Sequence, residues 1–435
     1  MYNATAGSRY EANSAKTFFP ANTVKSSGKL TIGALAISAS LAAGWYGGAV
    51  SKARAAAAIL YDQGLVGLTR ELTGQANIPW ESASPQSRGF DSLRLQALGD
   101  QLQAKSTDVF LVVRGGDIVM ERYAPGLGPN TPFGMAAMAK AVSGSMALLL
   151  SLTDRRVGLD EPVGNWYPAW SDDSAKSPIT IRQLATHSSG LDDVDFTDVG
   201  DGWKQYYYDH PDQRFEVALE QAPSLFEPGS RQLYSGLGYY VLAYVLTKSL
   251  RDAPQQDLAT LLRERLFEPL DVPRRAWQIS YGESHEFDGL QLYAIGSGAS
   301  MTARAAARVG QLVLDRGSWQ GQQLIAAAWV DTLRSIVPLA ADRRLDPSEL
   351  GAGLGWWMNS DGLVPALPSD AMVGLGNGDR VLLVVPSLSL VMVRSGGLLA
   401  PAEGNAVWKN PWSRLDEHLF GPLMATLAMT SSGAQ

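Results

Sequence analysis

Long apolar runs sit near both ends of the chain, with mixed helical patterning between them. Residues 108–123 (DVFLVVRGGDIVMERY) form two β-rich runs around Gly115-Gly116, which predicts a hairpin. Near the other end, residues 381–386 (VLLVVP) and 388–394 (LSLVMVR) predict two more strands joined by a tight turn. Residues 150–290 alternate amphipathic helical pieces with loops marked by Pro and Gly, and residues 412–429 predict a final helix. Strands at both ends with helices between them predict an α/β (α+β) fold. In it an antiparallel β-sheet, built from both chain ends and flanked by helices, carries a mostly helical region over about 150–290, within a domain spanning 89–430.

The N-terminal pattern differs. Residues 1–29 are polar, and residues 30–51 are 22 positions without a charge, rich in Ala, Ile, Leu and Gly. That length matches a transmembrane helix of about 20 residues. The rival is a cleaved signal segment, since small residues follow at Ala53 and at 55–58, but the apolar core of such segments is shorter, about 7–15 residues. Arg9, Lys16, Lys25 and Lys29 before the span outnumber Lys52 and Arg54 after it. The expectation is an inner-membrane, single-pass anchor with the domain on the periplasmic side. Gly44 and Gly48 have the small-xxx-small spacing of helix pairs, which leaves a homo-oligomer open. Residues 52–88 read as an Ala-rich, then polar linker.

Composition narrows the chemistry. At 46% hydrophobic and 18% charged residues, the 435-residue chain reads as globular with ample core. A net charge of −7 disfavours a nucleic-acid partner. There is no cysteine, and the four histidines (His187, His210, His285, His418) lack metal-ligand spacing, so no metal or other cofactor is expected.

The candidate chemistry starts at 133–141 (FGMAAMAKA), which follows a turn at 129–132 and leads into the apolar run 142–150. This reads as a loop feeding a buried helix, with Lys140 one turn inside it. A lysine on the approach to a core helix is costly unless it is paired or used. With Ser at 137 the text would be Ser-x-x-Lys, in which an amine lies one helical turn from a nucleophilic hydroxyl. The residue there is Ala137.

Several landmarks in order give the chain a resemblance to the serine β-lactamase-like hydrolases, the SxxK group of class C β-lactamases, DD-peptidases and related esterases. They are the Arg114-Gly115-Gly116-Asp117 hairpin, the helix start at 137–140, the segment 179–191 (ITIRQLATHSSGL), Phe226-Glu227-Pro228-Gly229 ahead of Tyr234-Ser235-Gly236, residues 297–309 (SGASMTARAAARV) and Leu354-Gly355-Trp356. The resemblance covers roughly 90–425. It implies that the side chain at 137 attacks an acyl carbon, that Lys140 takes the proton, and that Tyr234 carries it to the leaving group. A desolvated lysine amine shifts toward its neutral form, as that role requires. The N–H groups of residue 137 and of a strand residue near Leu375 are implied to hold the oxyanion. His187 is implied to be structural, in a tight turn, and of Trp356 and Trp357 one is a candidate to line the cleft.

Three positions depart from the family's pattern. Ala137 replaces the nucleophile while Lys140 and Tyr234 remain, as a single Ser→Ala substitution would leave them; a relative inactive by descent would lose the partners too. Gly236 stands where the family often has Asn, removing an amide able to touch substrate. Met372, in Met372-Val373-Gly374-Leu375-Gly376, stands where the family usually has Lys or His, which weakens recognition of a carboxylate there and argues against β-lactamase activity. Gly236, Met372, Gly374, Trp356 and Asp193 are the candidate substrate-binding positions. The stretch 192–210 places Asp192, Asp193, Asp195, Asp198 and Asp201 beside Trp203 and residues 206–208. It reads either as an acidic, aromatic rim suited to an amine-bearing substrate or as a solvated loop over packed rings. The function expected is a membrane-anchored serine hydrolase forming an acyl-enzyme on a small-molecule or peptide substrate, preferably an amine-bearing peptide or amino-acid oligomer. A carboxylesterase, a cell-wall peptidase and a non-catalytic binding or sensing module are the alternatives.

Overall fold

The computed structural model describes residues 78–194, 202–401 and 411–427. The run expected to form a membrane anchor, 30–51, lies outside the described residues, as do Asp195, Asp198 and Asp201. Among the described residues no helix is long and apolar enough to cross a membrane.

The strands are β1 (Thr107–Arg114), β2 (Asp117–Tyr123), β3 (Phe133–Ala136), β4 (Trp277–Gln278), β5 (His285–Phe287), β6 (Leu290–Leu292), β7 (Ala299–Met301), β8 (Ser318–Trp319), β9 (Gln322–Gln323), β10 (Gly351–Ala352), β11 (Trp357–Met358), β12 (Met372–Gly376), β13 (Arg380–Val385) and β14 (Leu390–Gly396). Seven of them form one antiparallel sheet in the order β10-β11-β12-β13-β14-β1-β2. Both chain ends meet in it where β1 pairs with β14, Leu111 opposite Val393. The β1–β2 turn holds Gly115 and Gly116 at φ 58° and 85°, both left-handed, which glycine adopts without a Cβ penalty.

The unbroken apolar runs of β1, β13 and β14 follow from burial on both faces. Leu111, Leu382, Val384 and Val393 point into one core with the helical region. Phe110, Val112, Leu383 and Met392 point into a second core, beneath helix α1 (Ser92–Ala104) and the C-terminal helical run. That run comprises Trp412–Leu415, Asp416–Phe420 and Gly421–Ala425. It is tied to the sheet by Arg414, whose Nε and Nη2 donate at 2.8 and 2.6 Å to buried Asp379. Residues 78–88, within the stretch read as a linker, are packed: Ile78 is buried, and the Trp80 indole donates to Gly116 O at 2.8 Å.

On the other face lie helices α2 (Met146–Thr153), α3 (Ile181–Ala185), α4 (Trp203–Asp209), α5 (Gly236–Lys248) and α6 (Ala303–Leu314). Helix α2 explains the apolar run after Lys140, since 146–152 are all buried. A second sheet, β3-β7-β4, was not expected from the sequence. It corrects the loop expected before Lys140: residues 133–136 form strand β3, and Lys140 opens a π-helical turn (Lys140–Ser145) that runs into α2. Strand β3 exists because it pairs with β7, more than 160 positions on (Phe133 opposite Met301), a partner no local pattern reveals.

Candidate active site

Position 137 sits on a sharp strand-to-helix turn. Ala136, the last residue of β3, is buried and left-handed, with φ 48°. Such a conformation costs a non-glycine residue on the order of 1–3 kcal/mol and persists only where the surroundings enforce it. The turn is closed by Met138 N–H to Met135 O at 3.1 Å and by Lys140 N–H to Ala137 O at 3.0 Å. Strand β12 lies against it at contact distance. A Cβ at Gly376 would collide with the Met135 carbonyl, and one at Gly374 would lie 2.9 Å from Ala141 Cβ. Glycine at these two positions lets the Leu375 backbone come up beside residue 137.

Lys140 is only 5% exposed. Its Nζ donates to the Tyr234 hydroxyl at 2.6 Å and to Gly296 O at 2.9 Å. Tyr234 is held from both sides by His187: Leu233 N–H donates to His187 O at 2.9 Å, and Ser235 N–H donates to His187 Nδ1 at 3.1 Å. The two rings lie 4.7 Å apart, and Trp357 stacks on both, at 5.9 Å from His187 and 6.4 Å from Tyr234. Burial, reinforced by the positive charge of Lys140, holds the His187 imidazole well below its usual pKa. It is therefore neutral at neutral pH, and with Nδ1 accepting, its proton is on Nε2. The turn carrying His187 follows α3, which starts in a capping box between Thr180 and Gln183.

Two adjoining cavities share Ala137, Lys140 and Tyr234. The smaller, about 260 Å³ including its open mouth, is lined further by His187, Trp356, Trp357 and Leu375. The larger, about 650 Å³ including its open mouth, passes Asp193, Gly236 and Gly296 toward Arg214 and Tyr281. Residue 137 stands at their junction, with the amine, the phenol and the β12 backbone around it.

Asp193 belongs to the architecture of α5 as well as to the cavity. Its carboxylate accepts from Gly236 N–H at 2.8 Å and Leu237 N–H at 3.3 Å, while the Ser235 hydroxyl accepts from Gly238 N–H at 3.0 Å. Three of the helix's first N–H groups are thereby satisfied, and an anion rests at the positive end of the helix. A Cβ at 236 would stand 3.3 Å from the Asp193 carboxylate, so Gly236 leaves that carboxylate its place. Burial raises the Asp193 pKa to about 6, against the opposing pull of the backbone N–H bonds and Lys140. Asp192 is paired with Lys204 at 3.1 Å. These two acids therefore have internal partners and do not form a bare acidic rim.

Of the other sequence candidates, Trp356 and Leu375 line the smaller cavity, as does Trp357. Met372 is corrected: it is fully buried in the core, opposite Met358 and Val384 in the ladder. Gly374 shares its face of β12 and acts through closeness to the turn, as a spacer. Sequence reasoning missed Gly296, whose contribution is a backbone carbonyl, and Arg214 and Tyr281, which no motif marks.

The beta-lactamase family pattern matches residues 95–394 of this chain. Among curated proteins, a 6-aminohexanoate-dimer hydrolase of Paenarthrobacter ureafaciens is 26% identical over 266 residues, 59% of this chain. The match spans 64% of that relative's length. Among solved structures, a penicillin-binding protein homolog from Caulobacter crescentus superposes with a TM-score of 0.58 at 18% identity, over 77% of this chain and 98% of the other. A family VIII carboxylesterase superposes with a TM-score of 0.57 at 15% identity, over 80% of this chain and 100% of the other. At these identities the structural likenesses speak for the fold.

Proposed function

This chain belongs to the beta-lactamase family, and from that premise we propose that it is built as a serine hydrolase of amide or ester bonds whose nucleophile position is vacated by Ala137. The observation that carries the proposal is the bond from Lys140 Nζ to the Tyr234 hydroxyl beside residue 137, at the junction of two cavities. A buried amine in contact with a half-buried phenol and facing a cavity is costly to keep without a use.

With serine at 137, its Oγ attacks the acyl carbon and its proton passes to the Lys140 amine. The N–H groups of residues 137 and 375 stabilise the oxyanion, about 2.7–4 kcal/mol for a well-placed donor. Tyr234 protonates the departing amine or alkoxide and is reprotonated through its bond to Lys140. Water then attacks the acyl-enzyme, giving its proton back along the same pair and releasing the acid. The Gly296 carbonyl fixes the Lys140 head group while protons move.

The preferred substrates are small peptides or amino-acid oligomers that present an amine. The Asp193 carboxylate in the larger cavity supports this, as does the likeness to a hydrolase named for a dimer of an amino acid. A carboxylesterase is the second reading, in keeping with the fold shared with a family VIII carboxylesterase. The uncharged run 30–51 and the basic residues before it support an inner-membrane anchor with the domain on the periplasmic side. The test is Ala137→Ser assayed on aminoacyl anilides and p-nitrophenyl esters. Turnover of anilides supports the amidase and turnover of esters alone the esterase. A folded Ala137→Ser protein that turns over neither leaves a non-catalytic binding module.

A further inference from the structure

Arg214 opens the short helical turn Arg214–Glu216, and its side chain reaches the larger cavity. Several buried or half-buried arginines have carboxylate or carbonyl partners. Arg304 pairs with Glu121, Arg344 with Asp361 and Arg414 with Asp379, and Arg394 is bonded to backbone carbonyls and Thr107. Arg214 is different. Its surroundings are phenols: its guanidinium carbon lies 4.8 Å above the Tyr207 ring, and Tyr240 and Tyr281 line the same cavity. Among the described residues it makes no ion pair, and its Nε is buried without a hydrogen-bond partner. A half-buried guanidinium at a cavity wall, with its Nε buried and unpartnered, keeps donors for an anion that the described residues do not supply.

The opposite wall is strained. Tyr281 is left-handed, φ 56°, between Ser280 at 54° and Gly282 at 79°. For a bulky residue this is a genuine outlier. It is held by Tyr281 N–H to Gly298 O at 2.8 Å and by its ring, which fills the space a Cβ at Gly298 would need (2.5 Å). Gly296, which accepts from Lys140, is two residues away, so the strained wall and the reaction centre belong to one cavity.

We propose that this end of the cavity is a carboxylate subsite: Arg214 binds the terminal carboxylate of the substrate, whose aliphatic chain lies along Tyr207, Tyr240 and Tyr281. The subsite supplies a carboxylate-binding cation from the helical region and not from β12. Together with Asp193, it makes the cavity complementary to an amino-acid derivative with charges at both ends. The inference rests on reading the cavity as an acyl-transfer site, and its test needs no turnover.

The protein with Ala137 in place is titrated calorimetrically with N-hexanoyl-6-aminohexanoic acid and with its methyl ester. The acid is expected to bind about 10-fold tighter or more, the worth of a charge-assisted bond. That preference is expected to disappear in Arg214→Gln, to survive partly in Arg214→Lys, and to persist in Lys140→Met, which removes the rival cation. Equal binding of acid and ester, binding of neither, or a preference that survives Arg214→Gln overturns the subsite. If Arg214→Gln does not fold, the acid-to-ester ratios of the unaltered protein and of Lys140→Met decide. A subsite that fails beside an active Ala137→Ser enzyme leaves the hydrolase reading standing. An inactive Ala137→Ser protein that still prefers the acid does the reverse.

Discussion

The Nζ of Lys140 lies 2.6 Å from the hydroxyl of Tyr234, although 94 positions separate the two in sequence. Each reaches that point by a different route. Lys140 is carried by the strained turn after β3, and Tyr234 by the segment that caps α5 and is clasped by His187. Two independent pieces of local structure thus deliver an amine and a phenol to the space beside residue 137.

If this pair moves the protons, removing either partner in an Ala137→Ser background lowers kcat by about 10²–10⁴, the usual worth of general acid–base catalysis. Lys140→Ala and Tyr234→Phe are the variants to compare by steady-state kinetics. Tyr234→Phe is the cleaner, since the ring keeps its stack on His187 and Trp357. Rates within a few-fold of Ala137→Ser alone count against the assignment.

Closeness of β12 to the turn is testable through Gly376→Ala. The added methyl must displace the Met135 carbonyl, at a cost of about 1–3 kcal/mol of stability. Misplacing residue 137 and the Leu375 N–H then lowers kcat of Ala137→Ser by about 10²-fold, as an ångström-scale displacement does. A lowered melting temperature with unchanged kcat would show that Gly376 serves packing alone.

Asp193, with its pKa near 6, is largely protonated at pH 5 and largely ionised at pH 7. An ammonium ligand needs the ionised form. Hexylamine, itself charged at both values, is expected to bind the Ala137 protein about tenfold tighter at pH 7 than at pH 5. Asp193→Asn removes that dependence. Calorimetric affinities that do not change with pH would exclude Asp193 as the amine partner.

The depressed pKa of His187 makes a stability prediction of opposite character. A histidine kept neutral in the fold but free to charge when unfolded adds stability above its unfolded pKa of about 6.5, and that contribution is lost as the pH falls below it. Lowering the pH from 7 to 5 therefore reduces the melting temperature of the unaltered protein more than that of His187→Asn. Parallel melting curves across this range would show that the imidazole titrates as it does in water.

Much of the sheet was legible because continuous β-branched runs broken by Gly115-Gly116, or by the turn before Leu390, have few other readings. Lys140, Tyr234 and Leu375 were legible through the order of their landmarks. Strand β3 was not: four residues are made a strand only by distant β7. Met372 misled because a match by position says nothing of which face of β12 it takes; its alternation with Gly374 and Gly376 puts it in the core. The acidic stretch left two readings open because sequence shows charge but not partners; Asp193 spends much of its capacity on the N-terminus of α5. Arg214 carries no motif, and only its phenolic surroundings distinguish it from a solvated arginine.

The central claim is that residue 137 is a vacated hydroxyl position with its machinery intact. Intact-protein and peptide mass spectrometry of Ala137→Ser after exposure to a fluorophosphonate tests it most directly. The account predicts a single adduct, mapped to position 137, that is lost when Lys140 is also replaced by Ala. A folded Ala137→Ser protein that stays unmodified, or carries its adduct elsewhere, would contradict it.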